Sequence, residues 1–134
     1  MNNQKNIVLC GVGGQGTVLA SKLLAAAAMS KDIPVMSAET IGMAQRGGSV
    51  FSHLRMGDNL YSPMIETGTA DLIIGFEPGE TVRMLPYLKD HGHIVVSTRA
   101  VKPVTATLSG SDYDAPQMLE YLKAAVHPAI LPRF

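Results

Sequence analysis

Asn6-Ile7-Val8-Leu9-Cys10-Gly11-Val12-Gly13-Gly14-Gln15-Gly16-Thr17 opens a stretch that runs to Ile33 and decides the fold. Ile7 to Cys10 is a short apolar run between polar residues, the length of a buried strand. From Thr17 to Met29, Val18, Leu19, Leu23, Leu24 and Ala27 recur at helical spacing among strong helix formers. Strand, glycine loop and helix together make a Rossmann-like start, the opening of a βαβ unit. The glycines suit a tight turn, a close ligand backbone and close helix–strand packing. The free N–H groups at the helix start would face any anion placed there.

Two readings of the loop stand side by side. Its spacing matches G-x-G-x-x-G, and Glu39 follows the next apolar segment (Pro34-Val35-Met36) about 20 residues on, where a ribose-binding acid is expected. On that reading Gly11, Gly13, Gly14, Gln15, Gly16 and Thr17 cradle a phosphate, with Gln15 and Thr17 the nearest side chains. On the other, the glycines only let an Ala-rich helix sit close on a sheet.

The rest of the chain alternates strands and helices. Ser49 to Met56 alternates as a strand with one wetter side, the side of His53. Gly57-Asp58-Asn59 signals a turn, and Leu60 to Ser62 returns as a second strand, so 49–62 is expected to be an antiparallel hairpin insert. Thr40 to Gln45 is expected to be a short helix. Ala70 to Phe76 and His93 to Ser97 read as core strands, with a helix from Pro78 to Leu88 between them. Pro78 suits the first helical turn and Glu80 its positive end. Val101 to Leu108 reads as extended, and Asp114 to Val126 as a helix with Met118, Leu119, Leu122 and Val126 inward. The expected fold is a three-layer α/β/α sandwich, mostly parallel, with an antiparallel hairpin insert.

Composition narrows the function. The 134 residues fit one domain, and 46% are apolar against 5% aromatic, so the core is aliphatic with eight Met as fillers. Eleven Lys and Arg balance eleven Asp and Glu, with no basic stripe for nucleic acid. One cysteine excludes an internal disulfide framework and a self-contained iron–sulfur cluster. The polar start Met1 to Lys5 is no signal peptide, and no apolar run reaches the ~18 residues of a membrane span. The expectation is a cytoplasmic domain with no membrane or nucleic-acid partner. His91 and His93 have no carboxylate or thiol beside them to complete a metal site, and Ser49, Ser52 and His53 make no triad. Cys10 reads as a small buried hydrophobe.

Met43-Ala44-Gln45-Arg46-Gly47-Gly48-Ser49-Val50 adds a second loop. Arg46 is a fixed cation beside backbone free to form an anion-binding nest. It would meet a phosphate or carboxylate, or else bridge to an acid such as Glu39. Together with Gly11 to Gly16, Ala20-Ser21-Lys22, Tyr61-Ser62-Pro63, Ala70-Asp71 and Glu77-Pro78, these residues resemble the gamma domain of the 2-oxoacid:ferredoxin oxidoreductases, which include enzymes of indolepyruvate, pyruvate and ketoisovalerate.

The resemblance runs in register over about residues 6–100, thins beyond Val101, and implies a chain that ends earlier than the family does. It implies a subunit of an enzyme that oxidatively decarboxylates a 2-oxoacid to an acyl-CoA and sends electrons to ferredoxin. Thiamine diphosphate, magnesium and iron–sulfur clusters are then held by larger partner subunits, and no cofactor by this chain alone. Gln45, Arg46, Gly47, Gly48, Ser49 and Glu39 become ligand or interface residues facing coenzyme A or substrate. Isolated, such a chain is expected to be inactive and a candidate for self-association. The alternative is a stand-alone module binding NAD or FAD at the G-x-G-x-x-G loop.

Overall fold

In the computed structural model, residues 4–41, 48–101, 114–126 and 129–132 are described. The elements run β1 (Lys5–Val12), α1 (Thr17–Ser30), β2 (Val35–Ile41), β3 (Ser49–Met56), β4 (Ala70–Gly75) and α2 (Pro78–Met84). After a 3-10 turn (Leu85–Tyr87) come β5 (Leu88–Val96), α3 (Ala115–Ala125) and β6 (Ala129–Ile130). They form one sheet in the order β2-β3-β1-β4-β5-β6. β3 is antiparallel to both its neighbours, and the β1-β4-β5-β6 half is parallel.

The crossovers β1-α1-β2 and β4-α2-β5 run in opposite directions across the sheet. Right-handed connection therefore sends α1 to one face and α2, with α3 packed on it, to the other. The α2–α3 side carries the aliphatic core: Val8, Cys10, Ile73, Ile94 and Val96 from the strands, with Met84, Leu122 and Val126 above them. On the other side Leu9 and Leu54, both fully buried, lie in the half of the sheet that α1 covers. The three-layer sandwich and the mostly parallel sheet are as the alternation of patterns predicts.

The helix ends follow their sequence signals. Glu77 caps α2 by accepting the Glu80 N–H at 3.1 Å, with Pro78 in the first turn. Asp114 caps α3 through the Gln117 N–H at 3.0 Å. α3 turns Leu122 and Val126 fully inward, and Met118 and Leu119 are half-buried.

Several boundaries differ from expectation. Leu60 to Ser62 is not a strand. Both edges of β3 are taken, by β1 and by β2, so no free edge remains to make the 49–62 hairpin. The antiparallel feature is instead the β2–β3 and β3–β1 pairing. Segment 57–69 is pinned by side chains: Arg55 donates to the Ser62 carbonyl at 2.8 Å, and the Ile65 N–H donates to His53 Nδ1 at 2.8 Å. The short strand expected at 34–36 extends to Ile41, so Thr40 and Ile41 end β2 where a helix was expected; the rest of that expected helix, 42–45, lies outside the described residues. The helix starting at Pro78 stops at Met84, because Pro86 lacks the N–H to continue it and a tighter 3-10 turn closes it. β5 accordingly begins at Leu88 and not at His93. The extended segment expected over 101–108 lies outside the described residues beyond Val101.

β3 has no wetter side in its middle: Ser52, His53 and Leu54 are all buried. His53, expected at or near the surface, is 1% exposed, edge-on to Tyr87 at 5.3 Å between ring centres. Its Nδ1 accepts from Ile65, so the neutral ring carries its proton on Nε2, which has no hydrogen-bond partner among the described residues. Burial holds its pKa below the ordinary 6.5.

A histidine with a depressed folded pKa leaves the unfolded chain to take up the proton first as pH falls below about 6.5, so folding stability drops in that window. Glu77, whose carboxyl burial pushes upward, has the opposite slope above the ordinary carboxylate range. The test therefore compares variants. Between pH 7.5 and 5.5, urea unfolding of His53→Gln, which keeps an acceptor for Ile65 and does not titrate, should lose less stability than the native chain. The expected difference is at most about 1.4 kcal/mol per pH unit. Equal losses would contradict this assignment of His53.

Candidate functional site

In an open α/β sheet, ligands bind where the crossovers diverge, beyond the carboxyl ends of the strands. Here that point lies between β1 and β4, and the glycine loop closes it. The Gly13 N–H donates to the Gly48 carbonyl at 2.8 Å, joining the loop to the start of β3. The Phe76 N–H donates to the Cys10 carbonyl, and the Ser97 N–H to the Gly75 carbonyl, both at 2.8 Å, bringing the ends of β1, β4 and β5 level.

Gln15 ties this corner together. Its Oε1 accepts the Val12 N–H at 2.7 Å and its Nε2 donates to the Phe76 carbonyl at 3.1 Å. The side chain expected nearest an anion is therefore used to hold the loop to β4. Thr17, 3% exposed, sets its hydroxyl against Gly11 without a hydrogen-bond partner among the described residues. A Cβ on Gly11 would come within 2.7 Å of Thr17 Oγ1 and 2.9 Å of Gln15 Oε1, so only glycine lets these side chains fold over β1. Gly14 and Gly16, at φ +98° and +90°, have open space about them and supply the left-handed turns. Gly11 thus serves close packing, and Gly14 and Gly16 shape the surface.

Two hollows flank the loop. One, about 430 Å³, is lined by Gly13, Gly14, Gly16, Thr17, Leu19 and Val50 among others. The other, about 280 Å³, lies between Gly14, Gln15, Phe76, Arg99 and Val101. Arg99 is a cation the sequence reading missed; its signal was its place just past the carboxyl end of a core strand.

Glu77 is fully buried at the floor of this corner, accepting the Glu80 N–H on Oε1 and the Val101 N–H at 3.2 Å on Oε2. Burial raises its pKa, against the pull of those N–H groups. Beside it Glu80, 3% exposed, accepts from Ser49 Oγ at 2.9 Å, and Arg83 donates to the same hydroxyl at 2.8 Å. Ser49 is thereby drawn to α2. Gly48 is buried at the loop contact, and Gln45, Arg46 and Gly47 lie outside the described residues. Glu39 is exposed on the edge strand β2, separated from β1 by β3, about 10 Å from the loop strand. The acid and the glycine loop of the dinucleotide reading are not brought together.

Cys10 is completely buried, and burial pushes its thiol up to about 12. It is a neutral thiol at physiological pH, as a buried small hydrophobe should be. Among the described residues no group of three or more His, Cys, Asp or Glu is placed to hold a metal ion.

A fold with this carboxyl-end corner and a glycine-led first crossover defines an open, doubly wound α/β domain. Over residues 6–128 the chain matches the pyruvate ferredoxin/flavodoxin oxidoreductase family, and it belongs to that family. It is 42% identical over 108 residues to indolepyruvate oxidoreductase subunit IorB of Methanothermobacter thermautotrophicus, covering 81% of this chain and 55% of that one. To the pyruvate/ketoisovalerate oxidoreductases common subunit gamma of Thermococcus kodakarensis it is 31% identical, over 69% of this chain and 51% of that one. The chain thus spans about half the length of these relatives. Its fold recurs in the 2-oxoglutarate:ferredoxin oxidoreductase of Magnetococcus marinus with a TM-score of 0.67 at 16% identity, over 98% of this chain and 20% of that one. The stand-alone NAD or FAD reading finds no support in these likenesses, nor in the place of Glu39.

The packing role of the glycines has a measurable order. On Gly75 a Cβ would overlap Thr81 Oγ1 and lie 2.9 Å from Thr81 Cβ, on the helix that follows. Gly75→Ala should lose about 3 kcal/mol or more by overpacking, whereas Gly14→Ala should lose only the ~1–2 kcal/mol of a left-handed alanine. Denaturant unfolding that found Gly14→Ala the worse of the two would refute this division of labour.

Proposed function

We propose that the chain is a cytoplasmic subunit of a 2-oxoacid:ferredoxin oxidoreductase, the enzyme class that oxidatively decarboxylates a 2-oxoacid such as indolepyruvate or pyruvate to an acyl-CoA. The carrying observation is the family match over residues 6–128, joined to relatives that are themselves named as subunits. The chain's own chemistry supports a completing role. An iron–sulfur cluster needs several thiolates, and Cys10 is one neutral, buried thiol, so no cluster fits here. Magnesium seeks free carboxylate oxygens, whereas Glu77 and Glu80 are bound to backbone N–H groups, Ser49 and Arg83. Electron relay, thiamine diphosphate and metal accordingly belong to partner subunits, and ferredoxin is reached through them.

Within that assembly the corner formed by Gly14, Gln15, Phe76 and Arg99 takes an anionic group, as a phosphate or carboxylate of coenzyme A or substrate. Arg99 lines that hollow, and the start of α1 adds its positive end. Gly11, Gly13, Gly16 and Thr17 act there as framework, and Gln45, Arg46, Gly47, Gly48 and Ser49 serve as ligand or interface residues.

Co-expression with the larger subunits tests the role. Reduction of a low-potential dye that depends on 2-oxoacid and coenzyme A should fall sharply without this chain, and equal activity in its absence would overturn the reading. In the assembled enzyme, Arg99→Ala should raise KM for one anionic substrate roughly 10- to 100-fold, the loss of a charge-assisted hydrogen bond, with kcat changed little. An unchanged KM for both substrates would remove Arg99 from the site.

A further inference from the structure

Arg99 is the cation lining the hollow beside Gly14, Gln15, Phe76 and Val101, and its side chain is exposed. The three ion pairs among the described residues do not include it. Where its charge stands therefore depends on its backbone. That backbone is a short strap, Ser97 to Val101, leaving the carboxyl end of β5.

The strap is tethered on both sides of Arg99. The Ser97 N–H donates to the Gly75 carbonyl at 2.8 Å and the Thr98 N–H to the Pro132 carbonyl at 3.0 Å. The Arg99 N–H itself donates to Ser97 Oγ at 3.2 Å. Beyond Arg99 the tether among the described residues is the Val101 N–H, which donates to Glu77 Oε2 at 3.2 Å.

Glu77 is an uncommon choice for the place it holds. A helix N-cap is served best by the short side chains of Ser, Thr, Asp and Asn. A fully buried carboxylate also loses its hydration, which a hydroxyl would largely avoid. The longer side chain does what the short ones cannot. One oxygen caps α2 on the Glu80 N–H at 3.1 Å, and the other reaches across to Val101. Its charge has the wrong sign to draw an anion into the hollow, since like charges repel. What Glu77 contributes there is position.

We propose that Glu77 is a positioning residue for the anion site: by holding the Val101 N–H it fixes the strap on which Arg99 presents its charge to the substrate anion. The proposal rests on the reading of this corner as an anion site. The cap of α2 and the cation of the corner are then set by one carboxylate, so that the helix start decides where Arg99 stands.

In the assembled enzyme, two variants separate reach from charge. Glu77→Asp keeps the charge and a favoured N-cap but is one bond too short to hold both N–H groups. Glu77→Gln keeps the length without the charge, and its amide accepts one N–H while turning a donor toward the other. Each should raise KM for the anionic substrate that Arg99→Ala affects by roughly 3- to 10-fold, with kcat changed less than about twofold. In an Arg99→Ala background the same substitutions should move that KM less than about twofold, because the group they displace is gone. Circular dichroism checks that each variant folds. If one does not, the other carries the comparison, and if neither does, Val101→Pro deletes the N–H and leaves Glu77 in place.

An unchanged KM would overturn the proposal, and so would a KM that falls with Glu77→Gln, the result expected if the carboxylate acted by repulsion alone. A rise that persists in full without Arg99 would overturn it too, since Glu77 would then act by another route. A KM that Arg99→Ala itself leaves unchanged is a different result: it strikes the anion reading of the corner, and the positioning role falls with it.

Discussion

One side-chain amide holds the working end of this molecule together. Gln15 joins the N–H of Val12 to the carbonyl of Phe76, and so fixes the glycine loop of β1 to the end of β4. Both bonds lie in a part-buried corner, where an unmet backbone group would cost about 1–3 kcal/mol. The amide can reach both partners only because Gly11 has no side chain beneath it. The geometry of the carboxyl-end corner, from the start of α1 to Phe76, follows from that one constraint.

Beneath the loop a second constraint acts through Glu77. Its carboxylate caps α2 and also holds the Val101 N–H, so the start of α2 and the chain leaving β5 share one buried acid. Thr81, one turn on, donates to the Glu77 carbonyl and receives the Cys10 thiol at 3.9 Å. Acid, hydroxyl and thiol are thus spent on positioning. The corner is a scaffold whose buried acid and thiol are already engaged.

Patterns of long reach were legible in the sequence. The apolar run at 7–10 lies within β1, those at 70–76 and 93–97 overrun the ends of β4 and β5 by one residue each, and Pro78 and Asp114 mark two helix starts. The strand–loop–helix opening fixed the layer order, and the recognisable loops fixed the family. What depended on partners was not legible. Leu60 to Ser62 has strand character, but whether it pairs depends on a free edge, and β2 had taken the one that β3 offered. The alternation in β3 suggested one wet side, yet a strand with a strand on each side and a layer on each face buries both, which is why His53 lies inside. Gln15 looked like a ligand contact because spacing reveals neighbours and not hydrogen bonds. Arg99 carried no motif at all; only the meeting of β4 and β5 with the glycine loop brings it to the hollow.

The helix α1 shows how the same sequence signal can support two conclusions. Leu19 and Leu23 recur at helical spacing, and that periodicity correctly gave a helix. It did not give the buried face, because the residues that meet the sheet are the small ones, Thr17, Ser21 and Ala28. A large residue there would hold the helix away from β1 and β3 and pull the loop off Phe76. Small residues inward, with Leu19 and Leu23 outward, reverse the usual order of an amphipathic helix. Close approach at the loop therefore dictates the inner face, and the larger apolar residues Leu19 and Leu23 are left to the outer one.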